Sequence, residues 1–267
     1  MPDPRGNATS WLRRQRRDGP AEVRLLCFHY AGGNAAMFRD WPHLLPARIE
    51  PVAVQLPGRM ERLDEPPFTR METLVDALIE VVEPLTDLPF ACYGASMGAR
   101  VAWALAHALR ARSLPLPVKL YVASSTAPCL GIAVRGWDEP DSGLVDYMRD
   151  LGGTPEAILA DDAWMADLLR TMRADLTVLG THSLRPERPL DIPVHAFSGV
   201  EDQEAPPSLM SGWAAETAAR FDLDTLPCGH FLLGAAERRL LEVIAADPYL
   251  RPPGGAQPTT SEMAGRA

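Results

Sequence analysis

The chain has 267 residues, 46% of them hydrophobic, and a formal net charge of −9. That is enough apolar material for one sizeable core, as a single domain or a domain carrying an insertion. No apolar run approaches the roughly 18 residues of a membrane span, the N-terminus lacks a secretory apolar stretch, and the acidic body repels nucleic acid, so a cytoplasmic protein with no membrane or nucleic-acid partner is expected.

Residues 1–20 hold five Arg against two Asp, which leaves −12 on the rest. With the cluster "RRQRR" from Arg13 to Arg17 they read as a flexible basic arm, and the domain proper as residues 21–250. "VRLLCFHY" (23–30) and "EPVAVQL" (50–56) are short apolar runs and predict strands. Residues 70–86 have helical spacing, "PFACYG" (89–94) predicts a strand, and 97–112 a helix with Val101, Leu105 and Leu109 on one face. A strand "VKLYVASS" (118–125) follows. The stretch from about 128 to 189 then offers two or three helices around a Gly-Gly-Thr-Pro break and no strand. It is longer than a crossover needs, so it reads as a helical lid insertion, the alternative being a pair of ordinary crossover helices. Strands at 194–199 and 220–226 and helices at 207–219 and 232–246 complete the pattern, and 251–267, rich in Pro, Gly and polar residues, reads as a flexible tail. Strands alternating with helices, several of them without polar alternation, imply an α/β fold with a mostly parallel sheet flanked by helices.

Gly94-Ala95-Ser96-Met97-Gly98 places a G-x-S-x-G pattern between a predicted strand and a predicted helix, where the serine sits on a strained turn with its hydroxyl exposed. A serine hydroxyl is a weak nucleophile at neutral pH and needs a base, and the base needs an acid to orient it. The chain order to look for is Ser, then Asp or Glu, then His. Of the six histidines, His230 in "LPCGHFLLG" follows the last strand and precedes the last helix. For the acid, "VHAFSGVEDQEAP" supplies Asp202 at a strand end, with Glu201 as its rival. The oxyanion of an acyl transfer needs donors: the backbone N–H of Met97, next to the nucleophile, and that of Ala31 in "FHYAGGNAAMF", with Gly32 as neighbour. Cys228 lies two residues from His230 but lacks the strand-to-helix turn, so it is assigned to packing. It and Cys27, Cys92 and Cys129 show no CxxC spacing, and neither a metal site nor a disulfide framework is suggested.

"LLCFHYAGG", "VAVQLPGRMERLDEPP", "YGASMGA", "LGGTPEAILAD", "MRADLTVL" and "CGHFLL", in this order from residue 23 to 246, resemble the type II thioesterases that accompany polyketide synthases and nonribosomal peptide synthetases. The resemblance implies an α/β-hydrolase fold with a helical lid. It also implies hydrolysis of acyl thioesters held on the phosphopantetheine arm of acyl or peptidyl carrier proteins, clearing stalled or aberrant chains through an acyl-serine without metal or soluble cofactor. Position by position it carries the nucleophile onto Ser96, the acid onto Asp202, the base onto His230 and the oxyanion amides onto Ala31 and Met97. The chain departs from the family at Ala95, where His is usual, at His29, where Pro is usual, and at Gln203-Glu204, where Asp-Pro follows the acid. The other classes weighed are a general carboxylesterase or lipase and a non-catalytic hydrolase-like binding protein. Lid residues such as Trp164 and Met165 are expected to set chain-length preference.

Overall fold

The computed structural model describes residues 8–15, 19–183 and 188–251. A two-residue strand β1 (Leu12–Arg13) is followed by β2 (Val23–Phe28), β3 (Ile49–Val54), β4 (Phe90–Ala95), β5 (Leu120–Ala123), β6 (Val194–Gly199) and β7 (Phe221–Leu226). They form one sheet in the order β1-β3-β2-β4-β5-β6-β7, parallel throughout except for β1 against β3. Strands β2, β4, β5 and β6 are buried at every position, which is the physical reason their sequences show no polar alternation. The helices in chain order are α1 (Ala8–Trp11), α2 (Trp41–Leu44), α3 (Met71–Val82), α4 (Met97–Ala111), α5 (Asp141–Leu151), α6 (Glu156–Leu159), α7 (Asp162–Gly180), α8 (Pro207–Met210) and α9 (Ala235–Ala246).

The period of two along each strand divides the core. Leu26, Phe28, Cys92 and Val122 join the face covered by α3 and α4, while Leu25, Cys27, Tyr93 and Phe197 join the face covered by α9. On α4 the stripe Met97, Val101, Leu105 and Leu109 is wholly covered by the sheet and α3. Truncating one of its leucines to Ala would cost about 2–5 kcal/mol, so this helix, which begins at the Ser96 turn, is firmly seated. The described part of the stretch 128–189 carries helices α5, α6 and α7, and Gly152, at φ 74°, closes α5. Its residues Leu144, Met148, Met165, Met172 and Leu176 make a small core of their own above the sheet.

Three expectations need correcting. Part of the stretch read as a flexible basic arm is built into the sheet: Leu12 pairs with Val54 and Arg13 with Ala53. Trp11 is the anchor, buried beneath the Arg62 guanidinium 4.2 Å from its ring and accepting at its carbonyl from Gln55 N–H at 2.7 Å. Residues 1–7 and 16–18 of that arm, and the tail from 252, lie outside the described residues. The helix expected over 207–219 is α-helical only to Met210 and continues as a 3₁₀ helix over Ser211–Glu216, which seats the fully buried Trp213 so that its Nε1 donates to Ser125 O at 2.6 Å. Helix α9 begins at Ala235 rather than 232 because Gly234, at φ 61°, turns the chain after the His230 loop.

Candidate active site

Ser96 stands between β4 and α4 at φ 50° and ψ −113°, a backbone conformation that costs a non-glycine residue about 1–3 kcal/mol. Two glycines make the turn possible. A Cβ on Gly94 would lie 2.2 Å from Gly98 O, and one on Gly98 would lie 2.2 Å from Phe28 O. The pattern thus reflects close backbone approach on both sides of the serine, whose own N–H is held by Ala123 O at 2.8 Å.

The loop after β6 carries Asp202, 2% exposed, and the loop after β7 carries His230. Asp202 Oδ1 accepts from Glu204 N–H at 2.9 Å and Ala205 N–H at 3.1 Å, which leaves Oδ2 facing His230 Nδ1 at 3.0 Å. Because a carboxylate only accepts, the imidazole proton belongs on Nδ1, and Nε2 is free to accept from Ser96 Oγ–H at 3.1 Å. Burial on its own would raise the Asp202 carboxyl, but the hydrogen bond and charge of His230 and the two backbone donors hold it below its ordinary value. Glu201, its rival in sequence, is exposed and makes a backbone bond to Cys228 O. The two loops can touch because residue 199 is glycine: a Cβ there would meet Gly229 O at 2.2 Å. Phe231 braces the ring of His230 edge-on at 5.3 Å.

Of the expected oxyanion donors, Met97 N–H is the first of α4, with no residue four back in the helix to bond, and Ala31 N–H makes no hydrogen bond among the described residues. The neighbouring amide is engaged. Gly32 N–H donates to Asp175 Oδ2 at 2.8 Å, and the same carboxylate takes a two-pronged bond from Arg59, at 2.7 and 2.8 Å, while Arg59 also donates to Gly33 O. Both side chains of this pair are buried. The segments "QLPGR" and "MRADLTVL" therefore have a shared purpose that no spacing revealed: they clasp the turn after β2 to helix α7.

Cys228 is half-buried against the α9 face, and burial, then the charges of Asp202 and Glu201, raise its thiol, so it stays protonated and unreactive. His29 is 1% exposed with Nε2 unpartnered, and burial together with the Arg59 charge lowers its pKa to about 4, against the opposing pull of Asp175 and Tyr30 O. The folded value lies below the unfolded one of 6.5, so as pH falls from 6.5 toward 4 the unfolded chain takes up a proton that the folded one refuses. Stability on the order of 3 kcal/mol is lost across that window. His29→Gln should therefore show a smaller fall in Tm between pH 6.5 and 4.5 than the natural chain. Parallel Tm curves would assign the acid sensitivity elsewhere.

Two cavities meet at Ser96, Ser124 and His230. One, about 30 Å³, is walled by Tyr30, Met37, Phe231 and Leu232. The other, about 70 Å³, is walled by Arg100, Ser125, Arg135, Tyr147 and Leu179. Neither contains Trp164 or Met165. Trp164 is 67% exposed and Met165 packs against Leu144, Met148 and Met172, so the described residues of the 128–189 stretch that line the cavity at Ser96 are Ile132, Ala133, Val134, Arg135, Tyr147 and Leu179. A larger hollow of about 260 Å³ between Arg13, Asn34 and Met60 holds none of the three site residues. Among the described residues no cluster of His, Cys, Asp and Glu is arranged to hold a metal ion.

A family model described as thioesterase domain matches residues 23–247. The Gramicidin S biosynthesis protein GrsT of Aneurinibacillus migulanus is 34% identical over 87% of this chain and 91% of its own length. Among solved structures, the RedJ thioesterase from the prodiginine biosynthetic pathway in Streptomyces coelicolor is 37% identical with a TM-score of 0.80, covering 84% of this chain and 90% of its own. The type II thioesterase BorB from the borrelidin biosynthetic cluster is 32% identical with a TM-score of 0.80, covering 90% and 98%.

Proposed function

The chain belongs to the thioesterase family, and from that premise we propose that Ser96, His230 and Asp202 are the nucleophile, base and orienting acid with which it hydrolyses acyl groups held as thioesters on the phosphopantetheine arm of acyl or peptidyl carrier proteins. The observation that carries the reading is the unbroken line from Ser96 Oγ through His230 to Asp202, set on strand ends of an α/β-hydrolase sheet.

In the first half-reaction Ser96 Oγ attacks the thioester carbonyl as His230 Nε2 takes its proton. Asp202 stabilises the imidazolium, and the N–H groups of Met97 and Ala31 receive the oxyanion. The C–S bond then breaks, the arm leaves as a thiol carrying the proton from His230, and an acyl-serine remains. In the second, water gives a proton to the same nitrogen as its oxygen adds to the acyl carbon. The serine ester bond breaks, Ser96 recovers its proton and the free acid departs. A thiolate is a good leaving group in the first half-reaction, and His230 returns a proton to the departing Ser96 oxygen in the second, so the proposed chemistry calls for no metal or soluble cofactor. No helix of the described residues is long and apolar enough to cross a membrane, and we place the protein in the cytoplasm beside its carriers. In this reading it removes stalled or aberrant acyl groups during polyketide or nonribosomal peptide assembly.

The test is release of free thiol from an acyl-loaded carrier protein, compared with the same acyl group on a minimal pantetheine mimic and on a simple oxygen ester. The carrier substrate should have the higher kcat/KM, by roughly tenfold or more, which is about 1.4 kcal/mol of recognition. A mimic as good as the carrier would remove carrier recognition from the proposal. An oxygen ester as good as both would make the enzyme a general esterase.

A further inference from the structure

Ser96 has a counterpart on the neighbouring strand that the mechanism above does not use. Ser124 directly follows β5 as Ser96 directly follows β4, and both stand at φ 50°. The register that pairs Ala95 with Ala123 sets the two serines side by side, on strands about 4.8 Å apart. Ser96 N–H donates at 2.8 Å to Ala123 O, the carbonyl of the peptide that leads into Ser124, and Ser124 N–H donates at 3.1 Å to Phe197 O on β6. A φ of 50° is free to glycine and strained for any other residue, yet position 124 keeps a side chain. That side chain is buried, and its Oγ has no hydrogen-bond partner among the described residues, an arrangement that native folds rarely tolerate without a use for the group. The strand order gives its place in the reaction. His230, in the loop after β7, reaches Ser96 after β4 at 3.1 Å, so the imidazole crosses the ends of the two strands between, β5 and β6. Ser124 stands at the first of these ends and lines both cavities at which Ser96 and His230 meet. Ala31, the proposed oxyanion donor, follows β2 on the other flank of β4.

We propose that the Ser124 hydroxyl holds and orients the water that hydrolyses the acyl-serine. The proposal rests on the thioesterase reading given above and deepens its second half-reaction. Ser96 attacks while tied to the chain, whereas water arrives untethered and is oriented only by what it touches. A water that gives one proton to His230 Nε2 has a second proton to place. Ser124 Oγ, with two lone pairs, accepts a hydrogen bond from it, and with both protons so directed a lone pair of the water faces the acyl carbon. The new C–O bond forms as the first proton passes to Nε2. The C–O bond to Ser96 then breaks, Ser96 Oγ recovers that proton, and the second proton stays on the free acid, so Ser124 ends as it began. The first half-reaction makes no such demand, because its nucleophile is already held and its leaving atom is sulfur, a weak hydrogen-bond acceptor.

The experiment is a single turnover, with enzyme in excess over an acyl carrier protein loaded with acetyl or hexanoyl groups, quenched at intervals. Free thiol reports the first half-reaction, acyl-serine is read by intact mass, and free acid reports the second. Ser124→Ala should release thiol within about twofold of the natural rate while free acid forms about tenfold more slowly, so that acyl-serine accumulates behind a normal first step. Its Tm should not fall, since no hydrogen bond among the described residues is lost. Thiol and acid slowed together would make Ser124 a support of the Ser96 turn and overturn the proposal, as would free acid formed at the natural rate. Should Ser124→Ala fail to fold, Ser124→Gly, which takes φ 50° freely and also lacks the hydroxyl, is read by the same two rates. Release of thiol from neither carrier substrate by the natural chain would remove the thioesterase reading itself, whatever the variants do.

Discussion

Ser96→Ala is expected to lose acyl-enzyme formation altogether and to lower turnover by about 10⁶, leaving only what binding and the oxyanion donors contribute. The substitution removes one oxygen and retains Cβ, so the φ of 50°, the bond from Ser96 N–H to Ala123 O and the seating of α4 all persist. Thermal stability should accordingly stay close to that of the natural chain, and only the line to His230 is cut. The readouts are labelling by a fluorophosphonate probe, which should vanish, and the burst of thiol on mixing with an acyl carrier, which should vanish with it. Retained hydrolysis at the natural rate would sink the assignment of Ser96. Labelling that moved to Cys228 would install the Cys-His arrangement instead, an outcome opposed by the burial and the two nearby carboxylates that keep that thiol protonated.

The second large effect belongs to the acid. In Asp202→Asn the two backbone N–H groups of Glu204 and Ala205 continue to demand an acceptor at the Oδ1 position, so the amide must place its oxygen there and turn its NH₂ toward His230. A donor facing Nδ1 drives the imidazole proton to Nε2, and Ser96 then has no acceptor for its own proton. Turnover should fall by up to about 10⁴ with the loop geometry intact. Glu201→Gln, at an exposed position, should do little. The reverse ranking of the two variants in a thiol-release assay would transfer the acid to Glu201.

What could be read from the sequence follows from how local each signal is. Strands β2, β4 and β6 fall within two residues of their expected spans because an apolar run bounded by turn residues needs no knowledge of its neighbours. The candidates Ser96, Asp202 and His230 could be singled out because Ser96 directly follows β4 while Asp202 and His230 stand in the short loops after β6 and β7, and the parallel sheet brings those strand ends to one edge. Strand β1 was not, since two residues carry no periodicity and its anchor, Trp11, sits beside a run of arginines that suggests solvent. Nor was Gly199, whose need for glycine arises from the carbonyl of Gly229 in another loop. Arg100 falls on the α4 surface in a helical reading, and only the lid placed above it turns that surface into a cavity wall. The lid residues first expected at the acyl chain, Trp164 and Met165, lie in the N-terminal part of α7 and line neither of the cavities that contain Ser96.

The clasp between Arg59 and Asp175 bears on how this scaffold can be rebuilt. A chimaera that imports a whole lid from another hydrolase will strand a buried guanidinium, at about 3–5 kcal/mol, unless the incoming helix presents a carboxylate in register with Arg59. It will also release the Gly32 amide, and with it the turn that holds Ala31. Grafts confined to the stretch around 132–147 leave that clasp alone while replacing much of the cavity wall, which makes this segment, and not α7, the exchangeable cassette for altering which acyl groups the enzyme accepts.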